Sequence, residues 1–278
     1  MISKTFGRGK QEGLLAVGAL AVGLTVALWG SAPVRQTGAD TPEMKLEAGF
    51  RPLFNGKDLT GWHKNPVKIG HGTGGRWTVV EGAISGEQDP PGSGNGGILL
   101  SDERFGNFEV IFQTKPDWGM DSGFFLRSTD DGKCYQIMID YYDTGNIGEI
   151  YREGLDGRTN RTFQLEGIYA DVEKHQLKGT KAKPAAKNEL GAGGIPYFNL
   201  ADWPKIWKMN DWNTIRARVQ DNPPTITTYL NGQLVTKYTS DMKFEGILGD
   251  RGSLALQVHG GANGQGKTRF RNIQVKEL

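Results

Sequence analysis

SGFFLRSTDDGKCYQIMIDYYD, residues 122–143, reads as two strand-like runs joined by a turn, and it decides the fold. In the first run Phe124 and Leu126 alternate with Phe125 and Arg127. In the second, Tyr135, Ile137, Ile139 and Tyr141 alternate with Gln136, Met138, Asp140 and Tyr142. Successive strand residues point to opposite faces, so each run offers one apolar face to a core. The other face carries Arg127, Gln136 and Asp140, a set that a sheet turns toward water or a ligand. Asp130, Asp131 and Gly132 supply the turn. This second face is expected to form half of a binding cleft.

The same alternation recurs outward in both directions. Trp77 to Ser85 predicts a hairpin about Glu81-Gly82, and Phe108 to Lys115 a strand with Phe108, Val110 and Phe112 on one side. Gln88 to Gly97 is a proline and glycine loop, and Gly148 to Gly154 predicts a further strand. Ile215, Ala217 and Val219 alternate with polar neighbours before a hairpin about Asn231-Gly232; Leu254, Leu256 and Val258 alternate with Ala255, Gln257 and His259. Phe270 and Ile273 are out of phase, which predicts a bulge near Asn272. Leu155 to Asn210 lacks periodicity and reads as a long loop, its lysine-rich part solvated and its aromatic part, Ile195 to Trp207, packed over something. Roughly a dozen strands without a convincing helix predict an all-β, two-sheet antiparallel jelly-roll sandwich.

Composition agrees with many short strands, because 41 of the 278 residues are glycine. The net charge of +2 has no basic run behind it, which excludes a nucleic-acid partner. Cys134 is the only cysteine, so an intrachain disulfide and a cysteine-based zinc site are excluded and the thiol reads as a packing residue. Lys4, Arg8 and Lys10 precede an apolar run from Leu14 to Trp29, with small residues Gly30, Ser31 and Ala32 after it. Residues 1–32 therefore read as an export signal or an uncleaved membrane anchor, 33–48 as a linker, and 49–278 as the folded domain. Export without disulfides points to the periplasm or cell envelope of a bacterium.

The residues opposite the core are Arg127, Gln136, Asp140, Gln257 and His259. If their strands adjoin, a cation, a carboxylate and an imidazole share one surface, as a carbohydrate site requires. Tyr142 and Glu149 join Gln136 and Gln257 as candidate substrate-binding residues. An ordinary retaining glycosidase fits less well, since it needs carboxyl groups about 5 to 5.5 Å apart, whereas Glu149 and Glu153 on one strand face are about 13 Å apart. No nucleophile elbow or phosphate loop is present. His63, His71, His175 and His259 do not fall at metal-binding spacing, so no cofactor is predicted. Calcium or another divalent metal stays open through Asp130-Asp131.

The ordered set FRPLFNGKDLTGW, WTVVEGAISGE, SGFFLR, DWNTIRARVQ, YLNGQLV, LALQVHG and FRNIQVKEL, spanning Phe50 to Leu278, resembles the 3-keto-disaccharide hydrolase domain family. The resemblance implies a fold like concanavalin A-type lectins and glucanases. It implies cleavage of glycosides whose sugar carries a ketone at carbon 3, an oligosaccharide or glycoside being the substrate. That ketone acidifies the carbon-2 hydrogen, so one base can remove it and the glycosidic oxygen can leave, with water adding back. Such a site needs a base, a polariser of the enolate oxygen and an acid for the leaving group. The resemblance implies Arg127 as polariser and His259 or Asp140 as proton acceptor. The chain departs from the family pattern with Gln136 in place of a glutamate and Met138 in place of a glutamine, which leaves a non-catalytic carbohydrate-binding module as the alternative.

Overall fold

A computed structural model describes residues 45–262, 264 and 266–278. The expected export segment and most of the linker lie outside these residues. In chain order the strands are β1 (Arg51–Pro52), β2 (Trp62–Lys64), β3 (Arg76–Val80), β4 (Ala83–Glu87), β5 (Gly97–Phe105), β6 (Phe108–Thr114), β7 (Gly123–Ser128), β8 (Cys134–Ile139) and β9 (Ile147–Glu153). They continue through β10 (Phe163–Asp171), β11 (Gln176–Pro184), β12 (Asn213–Gln220), β13 (Thr225–Leu230), β14 (Gln233–Thr239), β15 (Gly252–Val258) and β16 (Thr268–Glu277). Between β11 and β12 lie a 3-10 turn (Leu200–Asp202) and a single-turn helix, α1 (Trp203–Ile206).

Two antiparallel sheets face each other. One has the order β14-β13-β12-β6-β16-β4-β3, with β1 beside β16; the other has the order β2-β5-β15-β7-β8-β9. The inward alternation of each strand supplies the core. Phe112 of β6 stacks on Phe124 of β7 across the two layers, ring centroids 4.0 Å apart. Truncating such a ring costs about 3–5 kcal/mol. The predicted hairpins form at Glu81-Gly82 and Asn231-Gly232, all four residues having positive φ as a two-residue turn requires. The register of β16 against β6 shifts between Arg271 and Gln274, the predicted bulge, with Asn272 at φ 52°.

The expected long loop is corrected in part. Phe163–Asp171 and Gln176–Pro184 pair as a separate two-stranded ribbon, so the lysine-rich part is strand rather than loop. Its sequence hid this because the ribbon has no fully buried face: β11 is mostly exposed or half-buried. The aromatic part does pack over something. Trp203 is fully buried, stacks on Trp207 and meets Phe163, while Trp207 reaches Tyr141.

The outer face of the six-stranded sheet is divided. Ile98, Leu100, Phe125, Cys134 and Ala255 form a second apolar cluster there, with Ile69 packed against it. Cys134 is thus the packing residue expected, and burial pushes its thiol up. The remainder of that face is polar and open.

Candidate functional site

That polar remainder is a cleft of about 470 Å³. The alternation of β8 continues past its end, so Gln136, Met138, Asp140 and Tyr142 all line it. Tyr151 and Glu153 come from β9, and Gln257 from β15. Loops add His71, Asp121, Arg161, Glu189 and His259. Of the predicted residues, His259, Asp140, Gln136, Gln257 and Tyr142 are brought together. Arg127 and Glu149 are not.

Arg127 lies at the far end of β7. Its φ of 52° distorts the strand, and β15 shifts register against β7 between Ser253 and Ala255. Its guanidinium donates to Gly106 O (2.8 Å), Asp221 O (2.6 Å) and Asn107 Oδ1 (3.0 Å), tying the β5–β6 and β12–β13 turns together. Alternation placed Arg127 on the cleft face, whereas its guanidinium turns to the β5–β6 and β12–β13 turns, away from the cleft. Glu149 is fully buried behind the cleft wall, where Thr162 N and Asn146 Nδ2 donate to Oε2 (2.8 and 2.7 Å) and Thr162 Oγ1 donates to Oε1 (2.6 Å). Burial pushes its carboxyl up to about 7.

The cation of the cleft is Arg161. Its Nη2 lies 3.2 Å from Asp140 Oδ2, and its Nη1 donates to Glu189 Oε1 and to Thr144 O, both at 3.1 Å. Asp140 is 5 % exposed, and its Oδ1 and Arg161 Nε are buried without a hydrogen-bond partner among the described residues. Burial, with the Asp121 carboxylate nearby, holds the Asp140 carboxyl well above the usual range against the lowering pull of Arg161. Asp121 is also raised by burial, less so because His259 and Tyr142 oppose the effect. Tyr142 Oη donates to Asp121 Oδ2 at 3.3 Å.

Two imidazoles stand over this carboxyl pair. His259 Nδ1 lies 2.5 Å from Gly260 O. A carbonyl only accepts, so Nδ1 carries the proton in the neutral ring and Nε2 presents its lone pair. That Nε2 is 4.0 Å from Asp121 Oδ2. Gln88, almost fully buried, donates from Nε2 to His259 O (3.0 Å) and Gly261 O (2.8 Å), fixing the loop. His71 Nε2 lies 3.2 Å from Glu153 Oε1 and 3.1 Å from Gln257 Nε2.

The sequence reading missed His71, Asp121, Glu153 and Arg161 as members of the site. Asp121 and Glu153 had a signal: they continue the alternation of Gly123-Phe125 and of Tyr151 onto the cleft face. His71 and Arg161 come from aperiodic loops and had none. Asp130 and Asp131 are engaged by Arg104 and by Lys133 and Thr129. Among the described residues, no three His, Cys, Asp or Glu side chains are arranged to hold a metal ion. A larger hollow, about 610 Å³, lies on the eight-stranded sheet, but Glu109, Arg216 and Arg218 there already pair with one another.

A family model for the 3-keto-α-glucoside-1,2-lyase-like domain matches residues 49–276. The chain belongs to that family. The 3-keto-disaccharide hydrolase of Bacteroides thetaiotaomicron is 24 % identical over 284 residues, covering 91 % of this chain and 87 % of its own length. A candidate glycosyl hydrolase of Parabacteroides distasonis superposes with a TM-score of 0.49 at 18 % identity, over 84 % of this chain and 99 % of its own. The β-glucanase of Bacillus licheniformis superposes with a TM-score of 0.40 at 15 % identity, over 84 % and 95 %. In this member of the 3-keto-α-glucoside-1,2-lyase-like family the polar cleft sits on the outer face of the six-stranded sheet, away from the core between the layers.

Proposed function

We propose that this chain is an exported enzyme that cleaves the glycosidic bond of 3-keto-glycosides by elimination and rehydration. The observation that carries the reading is the convergence, in one cleft, of an accepting imidazole nitrogen, a buried carboxyl and a guanidinium. His259 Nε2 takes the proton from carbon 2, and Asp121 beside it steadies the imidazolium that results. The electron pair moves toward the ketone, whose oxygen gathers charge. Arg161, rather than Arg127, is the polariser of that oxygen. The bond from carbon 1 to the glycosidic oxygen then breaks, and Asp140 supplies the proton to the departing alcohol.

Rehydration reverses the roles. Water adds at carbon 1, giving its proton to Asp140, and His259, its own proton exchanged with solvent once the alcohol has left, returns a proton to carbon 2, so the balance is one water consumed per bond cleaved. Asp140 therefore serves as the proton donor of the first half-reaction and not as its acceptor, since burial favours its protonated form. The export part of the reading rests on residues 1–32 of the sequence.

The test is to incubate the purified protein with a 3-keto-disaccharide and with its unoxidised parent. Cleavage of the first and not of the second is expected. Equal inertness toward both, with saturable binding of either, would replace the reading with that of a carbohydrate-binding module.

A further inference from the structure

The cleft wall contains a chain of amides that ends on an imidazole. Ser122 O is a backbone carbonyl and can only accept, so the Gln136 atom 3.4 Å from it is the amide nitrogen. The same NH₂ donates to Gln257 Oε1 at 3.0 Å. This turns the NH₂ of Gln257 toward His71, where it lies 3.1 Å from Nε2. Gln136 is 4 % exposed and Gln257 fully buried, so water does not compete for either amide. Nor is there room to rearrange. A Cβ on Gly123 would come 2.4 Å from Gln136 Nε2, and Ser122 Oγ anchors the Gln257 backbone at 2.7 Å.

We infer that Gln136, acting through Gln257, fixes His71 as an imidazole whose Nε2 accepts and whose Nδ1 carries the ring proton. An amide NH₂ donates only, and the nitrogen facing it must offer a lone pair. The groups facing His71 are Glu153 from β9, Gln257 from β15 and the ring of His259, with Asp121 behind the latter. Glu153 Oε1 approaches the same Nε2 at 3.2 Å, and one nitrogen cannot accept from Gln257 while donating to Glu153. The Gln257 amide and Glu153 therefore make opposite demands on Nε2, and the fixed orientation of the amide decides between them. Gln136 is a positioning residue: it lies two amides away from the ring it controls. The inference concerns a tautomer and stands whether or not the cleft turns over a substrate.

The consequence is a rule for position 136. A carboxylate there, as in Gln136→Glu, can only accept, so it draws the NH₂ of Gln257 toward itself and turns the Gln257 carbonyl to His71. That carbonyl requires a proton on Nε2. The residue at 136 thus selects which nitrogen of His71 is protonated.

Ring nitrogen shifts from long-range proton–nitrogen correlation spectra of the whole chain test this, with His71 assigned by loss of its signals in His71→Asn. The wild-type protein is expected to show His71 neutral with Nε2 in the unprotonated range and Nδ1 in the protonated one. In Gln136→Glu the two are expected to exchange, while His63 and His175 stay unchanged. A wild-type His71 protonated at Nε2 would overturn the inference by itself, even if Gln136→Glu does not fold. So would an unchanged His71 tautomer in a folded Gln136→Glu protein.

Discussion

The rings of His71 and His259 meet edge to face, with centroids 4.6 Å apart and planes at 61°, although they are separated by most of the domain in sequence. Gly260 makes the approach possible, because a Cβ there would sit 2.3 Å from His71 O. Gly260→Ala must push the two loops apart, separating the imidazoles while leaving both sheets intact. The expected outcome is a loss of turnover of at least about tenfold with little change in the unfolding midpoint, since misplacement by about 1 Å is enough to cost catalysis. Turnover assays beside urea titrations check it.

Removing the accepting imidazole is expected to cost far more. His259→Ala should lower kcat on a 3-keto-disaccharide by about 10²–10⁴-fold, the range of a positioned general base. His63 provides the control. It is exposed and paired with Asp102 outside the cleft, so His63→Ala should leave kcat and KM unchanged.

Arg127 should affect stability and not chemistry. Arg127→Ala removes the donor to the carbonyls of Gly106 and Asp221 and leaves Asn107 Oδ1 with Asp221 N alone, a loss expected to cost about 2–4 kcal/mol. The urea midpoint should fall while kcat and KM of the folded fraction stay as in the wild type. Arg161→Met is expected to do the reverse, lowering kcat with a smaller effect on the midpoint.

Glu149 gives the fold a pH dependence. Its carboxyl is raised from 4.5 to about 7 in the folded protein, so between these values the native state holds a proton that the unfolded chain has released. Stability therefore falls as pH rises through this window, by about 3 kcal/mol at about 1.4 kcal/mol per unit, and levels above it. Gln fits the same hydrogen bonds: its carbonyl can accept from Thr162 N and Asn146 Nδ2 while its NH₂ donates to Thr162 Oγ1. Glu149→Gln is expected to flatten the decline seen in urea titrations between pH 4.5 and 7.

The sandwich was legible because its strands have one greasy face. Phe124 and Leu126 against Phe125, or Ile215, Ala217 and Val219 against their polar neighbours, announce both the strand and its orientation. The same period correctly collected Gln136, Asp140, Tyr142, Gln257 and His259 on one surface. It failed at Arg127 because period two says nothing of position along the strand, and a positive φ with a register shift against β15 redirects the side chain there. It failed at Glu149 because a face can be covered: Thr162 and Asn146 close over that carboxylate. Arg161 and His71 sit where the backbone follows turn geometry, so their arrival in the cleft depends on tertiary contacts such as those of Gly260. The ribbon of β10 and β11 escaped for a related reason, since a half-exposed pair of strands has no strong contrast between its faces.

The central claim is proton abstraction from carbon 2 by His259, and product analysis of the 3-keto-disaccharide reaction in deuterated water tests it most directly. The wild-type protein should release a 3-keto sugar carrying deuterium at carbon 2, and His259→Ala should release little product. Cleavage without deuterium at carbon 2, or undiminished cleavage by His259→Ala, would contradict it.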